Sequence, residues 1–172
     1  MPPINRRNLL ASATAMTSVV AMGSAARANV PANRDPFDYE VTRTDDEWRA
    51  LLGDDYAILR EGKTELPRSS PLWAEAREGT YACKGCDLQQ YTSVTKVNLL
   101  KGWVFFHGSE PNAQLMSQDT GAEMADEQPT SRFAIEVHCR RCGSHMGHIL
   151  LVDGSVLHCI NGASLAFNPT AA

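Results

Sequence analysis

The chemistry this chain could carry is concentrated in five cysteines and in two histidines spaced three apart. Cys83-Lys84-Gly85-Cys86 and Cys139-Arg140-Arg141-Cys142 are two C-x-x-C knuckles, separated by 52 residues. A two-residue spacing lets one tight turn aim two sulfurs at one point. Two such pairs supply four thiolates for a tetrahedral zinc ion, with metal–sulfur bonds of about 2.3 Å. A single C-x-x-C in an oxidising compartment could instead be a disulfide, but the matched second pair favours zinc. A site closed by four protein ligands has no position for substrate, so such an ion holds the fold and takes no part in the reaction. Cys159 is then left without a partner. An odd thiol is either buried and inert or a nucleophile, and its surroundings must decide which.

Those surroundings come from a hairpin. His148-Ile149-Leu150-Leu151-Val152 and Ser155-Val156-Leu157-His158-Cys159 are apolar runs joined by Asp153-Gly154, the signature of a type I′ turn. With a two-residue turn Val152 faces Ser155, and continuing that register puts His148 directly across from Cys159. Directly opposed residues project from one face with Cβ atoms about 4.5–5.5 Å apart. An imidazole there can favour the thiolate or deliver a proton. His145 joins the same site if the strand begins with a bend, and the second knuckle fixes where that strand starts. Alternation sends His158 to the opposite face.

The elements around these residues read as mostly β. Arg132 to His138 alternates, with Phe133, Ile135 and Val137 on one face. Before residue 79 the pattern is helical and short. Thr44 and Glu47 form a capping box, and Trp48, Leu51 and Leu52 make one apolar stripe that Gly53 ends. Tyr56 to Arg60 adds one more turn. Residues 62–77 carry Pro67 and Pro71 and read as an irregular surface wrap, and residues 109–129 read as a polar, acidic loop.

The first 28 residues stand apart. Arg6 and Arg7 precede a mildly apolar stretch, and Ala26-Arg27-Ala28 has the small-x-small pattern of a cleavage site. The paired arginines before Asn8-Leu9-Leu10 read as a twin-arginine export signal, with an ordinary secretory signal as the alternative. Either route gives a periplasmic or secreted bacterial protein. The expected organisation is a signal over 1–28, a flexible tether over 29–43 and one domain over 44–172. Removal of the signal takes away three arginines and no acid, so the net charge of -4 becomes -7. So acidic a body excludes general nucleic-acid binding, and no other apolar stretch is long enough to span a membrane.

Taken together, Tyr81-Ala82-Cys83-Lys84-Gly85-Cys86, Gly102-Trp103, His138-Cys139 through Met146-Gly147-His148, and His158-Cys159-Ile160-Asn161-Gly162-Ala163-Ser164-Leu165 resemble the B-type methionine-sulfoxide reductases, which reduce the R epimer. The upstream stretch from Trp48 to Gly79 is similar too. The resemblance implies two antiparallel β-sheets with short N-terminal helices, stapled by a structural four-cysteine zinc site at Cys83, Cys86, Cys139 and Cys142. By matching position Cys159 is the nucleophile, His145 and His148 orient the substrate oxygen and assist protonation, Asn161 hydrogen-bonds within the site, and Trp103 walls the pocket for the sulfoxide methyl group. The reaction implied is reduction of methionine-R-sulfoxide in oxidised proteins through a Cys159 sulfenic acid.

Three departures bear on rate and reductant. The family usually reads Gly-Trp-Pro-Ser-Phe where this chain has Gly102-Trp103-Val104-Phe105-Phe106, and it usually has an Arg where Leu157 stands. Many members carry a resolving Cys shortly before the Gly-Trp pair, and residues 92–101 contain none. Regeneration is therefore expected from an outside thiol such as a thioredoxin-like reductant. The alternative is a zinc-stapled module that binds Met or Met-sulfoxide segments without reducing them, or a purely structural zinc-ribbon-like interaction domain.

Overall fold

The computed structural model describes residues 37–118 and 135–171. The expected export signal, the expected tether up to residue 36, and residues 119–134 with Phe133 lie outside the described residues. No described helix is long and apolar enough to cross a membrane.

The chain enters through two short helices. In α1 (Asp45–Leu52) the capping box is complete, with Thr44 accepting from the Glu47 backbone N–H and the Glu47 carboxylate accepting from Thr44 N–H at 2.8 Å. Trp48 and Leu52 are buried, while Leu51 sits at the edge of the stripe and stays half exposed. A 3-10 turn at Gly53–Asp55 leads into α2 (Tyr56–Glu61). The segment expected as a tether ends bound, not free: Val41 N–H donates to Arg141 O at 3.0 Å, and Glu40 pairs with Arg140 and Arg141.

The rest is two antiparallel sheets. One has three strands in the order β2 (Gln89–Thr92), β1 (Gly79–Cys83), β9 (Leu165–Pro169). The other has six, in the order β3 (Lys96–Val97), β4 (Val104–Phe106), β8 (Ser155–Ile160), β7 (His145–Val152), β6 (Ile135–Cys139), β5 (Gln114–Gln118). β5 corrects the reading of 109–129 as loop throughout. Among the described residues it pairs with β6 alone, and an edge strand with a polar face lacks the apolar alternation that marks buried strands. The core gathers Trp48 and Leu59 from the helices, Tyr81 and Tyr91 from the small sheet, and Val104, Phe106, Val137, Met146 and Ile160 from the large one. Tyr91 and Phe106 stack with ring centroids 4.0 Å apart. One face of the large sheet is spent on this core, so Phe105, Leu157 and Cys159, which alternate with core residues, fall on the other.

Candidate active site and metal centre

The hairpin register is the one the turn dictates. Asp153 and Gly154 both have positive φ, and pairing runs from Val152↔Ser155 to His148↔Cys159. Across β8 from the other side Phe105 opposes Cys159, so the thiol lies between an aromatic and an imidazole on one sheet face. Three residues of separation would normally put His145 on the opposite face from His148. A bulge prevents this. On β6, Glu136 faces His148 but His138 faces His145, so one residue of β7 is extra and both histidines share the face of Glu136. Their ring centroids are 5.3 Å apart. Gly147 makes the bulge possible: its φ is +149°, and a Cβ there would overlap the Cys159 carbonyl oxygen.

Behind the histidines lies a buried carboxylate. Glu136 Oε1 is 2.7 Å from His145 Nδ1 and 3.3 Å from His138 Nε2, with all three side chains almost fully buried. Burial alone would push the Glu136 carboxyl up, but hydrogen bonds from His138 and His145 outweigh it and hold it at about 2. Burial also depresses His145, against the pull of Glu136. The state consistent with both is an ionised Glu136 accepting from Nδ1–H of a neutral His145, which leaves Nε2 as a bare acceptor. The Cys159 thiol is pushed up to about 12, first by burial and then by the charge of Glu65. At pH 7 the resting thiol is therefore neutral.

Asn161 uses its amide to hold the backbone. Its Nδ2 donates to Met146 O at 3.3 Å, joining its own N–H on the same oxygen at 2.9 Å, and its Oδ1 accepts from Glu65 N–H at 3.0 Å. It thus ties the bulge of β7 to the segment after α2. Trp103, immediately before β4, donates its indole N–H to Glu65 O at 3.1 Å and stays partly exposed. His158 points to the inner face, with Nδ1 3.1 Å from the Tyr91 hydroxyl, and Leu157 is buried.

Where β6 ends and β7 is about to begin, just beyond the His138↔His145 pair, the four knuckle sulfurs converge within 4.8 Å of one another. Cys83 and Cys142 Sγ are 3.7 Å apart, and Cys86 and Cys139 Sγ are 3.5 Å apart. Those separations are far beyond a disulfide bond of about 2.05 Å and match the edge of about 3.8 Å that a tetrahedron of 2.3 Å metal–sulfur bonds requires. All five cysteines are free thiols. Each knuckle ends on a residue with positive φ, Asp87 or Gly143, whose N–H returns to the carbonyl of the first cysteine at 2.8 Å. Hydrogen bonds from Cys139, Cys83 and Cys86 push the Cys142 thiol down, while the hydrogen bond with Cys142 pushes Cys139 up, as expected of four thiols that cannot all ionise without a cation. The surroundings suit a metal–thiolate cluster. Gln90 Nε2 donates to Cys139 Sγ at 3.3 Å, Ser144 Oγ lies 3.2 Å from Cys142 Sγ, and the buried Arg60 donates to Ser144 Oγ and to Cys142 O. The four cysteines can hold a metal ion.

A SelR domain is matched over residues 51–169. The chain belongs to the SelR domain family. It is 36% identical over 137 residues to peptide methionine sulfoxide reductase B3 of Arabidopsis thaliana, covering 76% of this chain and 72% of that protein. It is 34% identical over 139 residues to peptide methionine sulfoxide reductase MsrB of Leifsonia xyli subsp. xyli, covering 77% and 94%. With the protein of the same name from Agrobacterium fabrum it shares 34% identity over 136 residues, covering 76% and 94%.

The SelR domain match takes in every candidate site residue read from the sequence. The structure gathers Cys159, His148 and His145 on one face, places Asn161 and Trp103 on a shared partner next to it, and sets the four knuckle cysteines apart. Two residues of the site went unread in sequence. Glu136 was assigned only to the polar side of a strand, although a carboxylate between Ile135 and Val137, opposite a histidine, was a usable signal. Glu65 lies in the stretch expected to wrap over the surface, yet it is 5% exposed. No local pattern marks it, because all its partners but Ser69 are distant in sequence.

Proposed function

We propose that this protein is a peptide-methionine (R)-S-oxide reductase with Cys159 as its nucleophile, acting on methionine sulfoxide in oxidised proteins. The observation that carries the reading is the shared face of Cys159, His148 and His145, which requires both the hairpin register and the bulge. The names and coverage of the relatives support the same reaction.

The chemistry follows from the protonation states. A sulfoxide sulfur becomes electrophilic when its oxygen is protonated or strongly hydrogen-bonded, so a nucleophile and an acid must flank it. Here the resting thiol is neutral and so is His145, whose Nε2 can take up a proton while Glu136 holds Nδ1–H. The Cys159 proton passes through the histidine pair to the sulfoxide oxygen as Sγ attacks sulfur. The hydroxyl so formed then passes from the substrate sulfur to Sγ as the S–O and transient Sγ–S bonds break, methionine leaves, and Cys159 carries the oxygen as a sulfenic acid. An outside thiol then attacks that sulfur, releasing water and forming a mixed disulfide, and a second thiol frees Cys159. The other four cysteines belong to the metal centre, so none is spare to resolve the intermediate. Trp103 offers a ring edge to the methyl sulfide.

Zinc is the ion that the four thiolates fit, and its role is to hold the two knuckles together. The paired arginines at the N-terminus support export, with action in the periplasm or outside the cell. One observation favours a binding module instead: Leu157 is apolar and buried where the family has a cation, and the thiol is held far above neutrality. Turnover of separated R and S methionine-sulfoxide peptides with dithiothreitol decides between them. Reduction of the R epimer supports the reductase, and binding without turnover supports the module.

A further inference from the structure

We propose that Glu65 is a positioning residue that fixes the pocket wall relative to the nucleophile; this rests on the reductase reading of the site. Five groups converge on this one residue. Its carboxylate accepts from the backbone N–H of Gly162 at 2.6 Å and of Ala163 at 3.0 Å, and from Ser69 Oγ at 3.3 Å. Its N–H donates to Asn161 Oδ1 at 3.0 Å, and its carbonyl accepts from Trp103 Nε1 at 3.1 Å. The segment directly after Cys159 and the aromatic before β4 are thus held by the same residue, from a stretch with no regular secondary structure.

The chemistry selects a carboxylate. Three donors need an acceptor with both oxygens free of hydrogen, which a carboxylate supplies and an amide does not. A Gln side chain would turn its NH₂ toward either a backbone N–H or the Ser69 hydroxyl. The packing is equally exact in demand: a Cβ on Gly162 would overlap Ser70 Oγ and come within 3.4 Å of Glu65 Oε1. The charge also works against the thiol, since Glu65 helps push Cys159 up. A buried anion that opposes ionisation of the nucleophile has another use, and the geometry assigns it to placement. Displacing a reacting group by 1 Å can cost about 10²-fold in rate, and loss of this clamp frees both sides of the pocket at once.

Two variants of the full-length, metal-loaded protein separate reach from charge. Glu65→Gln keeps the length and loses the charge, whereas Glu65→Asp keeps the charge and cannot span to both amides. Measured quantities are kcat and KM for the R-sulfoxide peptide, the rate of Cys159 alkylation by iodoacetamide at pH 8, and the amide signals of Gly162 and Ala163 by NMR. The expected result is a fall in kcat of about 10- to 100-fold in both variants, with alkylation unchanged in Asp and faster in Gln, and with upfield-shifted, faster-exchanging Gly162 and Ala163 amides. Unchanged kcat in either folded variant overturns the proposal, as does an equal fall in kcat and alkylation, which would signify general disruption. If neither variant folds, Ser69→Ala, which removes one donor, must still lower kcat while sparing alkylation; if it does not, the proposal fails. A wild-type protein inactive on both epimers would sink the reductase reading instead, and unmoved Gly162 and Ala163 amides would then sink the clamp as well.

Discussion

His145 Nδ1 and Glu136 Oε1 meet at 2.7 Å inside the large sheet, and the carboxylate lies on the strand directly beside the one that carries His145 and His148. An ionised carboxylate in that place selects one tautomer of the imidazole and directs its other nitrogen toward the substrate face. Glu136→Gln preserves the shape and removes the charge. With the carboxylate gone, burial acts on His145 unopposed, so its protonation moves to lower pH. NMR of the His145 ring nitrogens should show that shift together with a mixed tautomer population. A comparable substitution in a serine protease costs about 10⁴ in rate, and a fall of about 10²-fold or more in kcat is expected here. An unaltered His145 spectrum would contradict the assignment.

The resting thiol is neutral, and that has a direct chemical signature. Alkylation of Cys159 by iodoacetamide should rise about tenfold per pH unit through pH 10 without a plateau, because its ionisation lies near 12. A plateau between pH 6 and 8 would mean a resident thiolate and a different source of activation. Removing His148 or His145 by substitution with Ala should lower kcat by about 10²- to 10⁴-fold, the usual worth of a general acid–base group, and change this alkylation profile far less.

Much of this was legible in the sequence, and the parts that were not share a cause. The opposition of His148 and Cys159 follows from Asp153-Gly154, since a two-residue turn leaves one register. The two knuckles announce a four-sulfur cluster by spacing alone. The inward turn of His158 follows from strand alternation. By contrast, placing His145 beside His148 needs the bulge, which the periodic rule cannot supply and which only Gly147 hints at. β5 was hidden because an edge strand has one partner and little apolar alternation. Glu65 was hidden because its significance lies in contacts to residues 96–98 positions further along the chain.

Gly147→Ala tests the bulge. The new methyl would overlap the Cys159 carbonyl at a φ of +149°, so the strand must shift. A loss of stability of about 2 kcal/mol or more is expected, with kcat falling further than the stability change explains. Denaturant unfolding and steady-state kinetics check both, and a variant with normal kcat would show that the bulge is not needed for the site.

The metal centre predicts its own stoichiometry. Elemental analysis should find about one zinc per chain, and Cys139→Ser should abolish it. Structural zinc contributes about 10–16 kcal/mol in small metal-folded peptides, comparable to the whole stability of a typical domain at about 5–15 kcal/mol. Chelation should therefore unfold the protein, read as loss of the cooperative thermal transition. A metal-free chain that keeps its transition would remove the four cysteines from the account of stability.

The most direct test of the central claim is turnover of separated R and S methionine-sulfoxide peptides with dithiothreitol, by the wild-type protein and by Cys159→Ser. Reduction confined to the R epimer, lost in the variant and accompanied by a trappable sulfenic acid on Cys159, is the predicted result. No turnover of either epimer by folded, zinc-loaded protein, or full activity in Cys159→Ser, would contradict it.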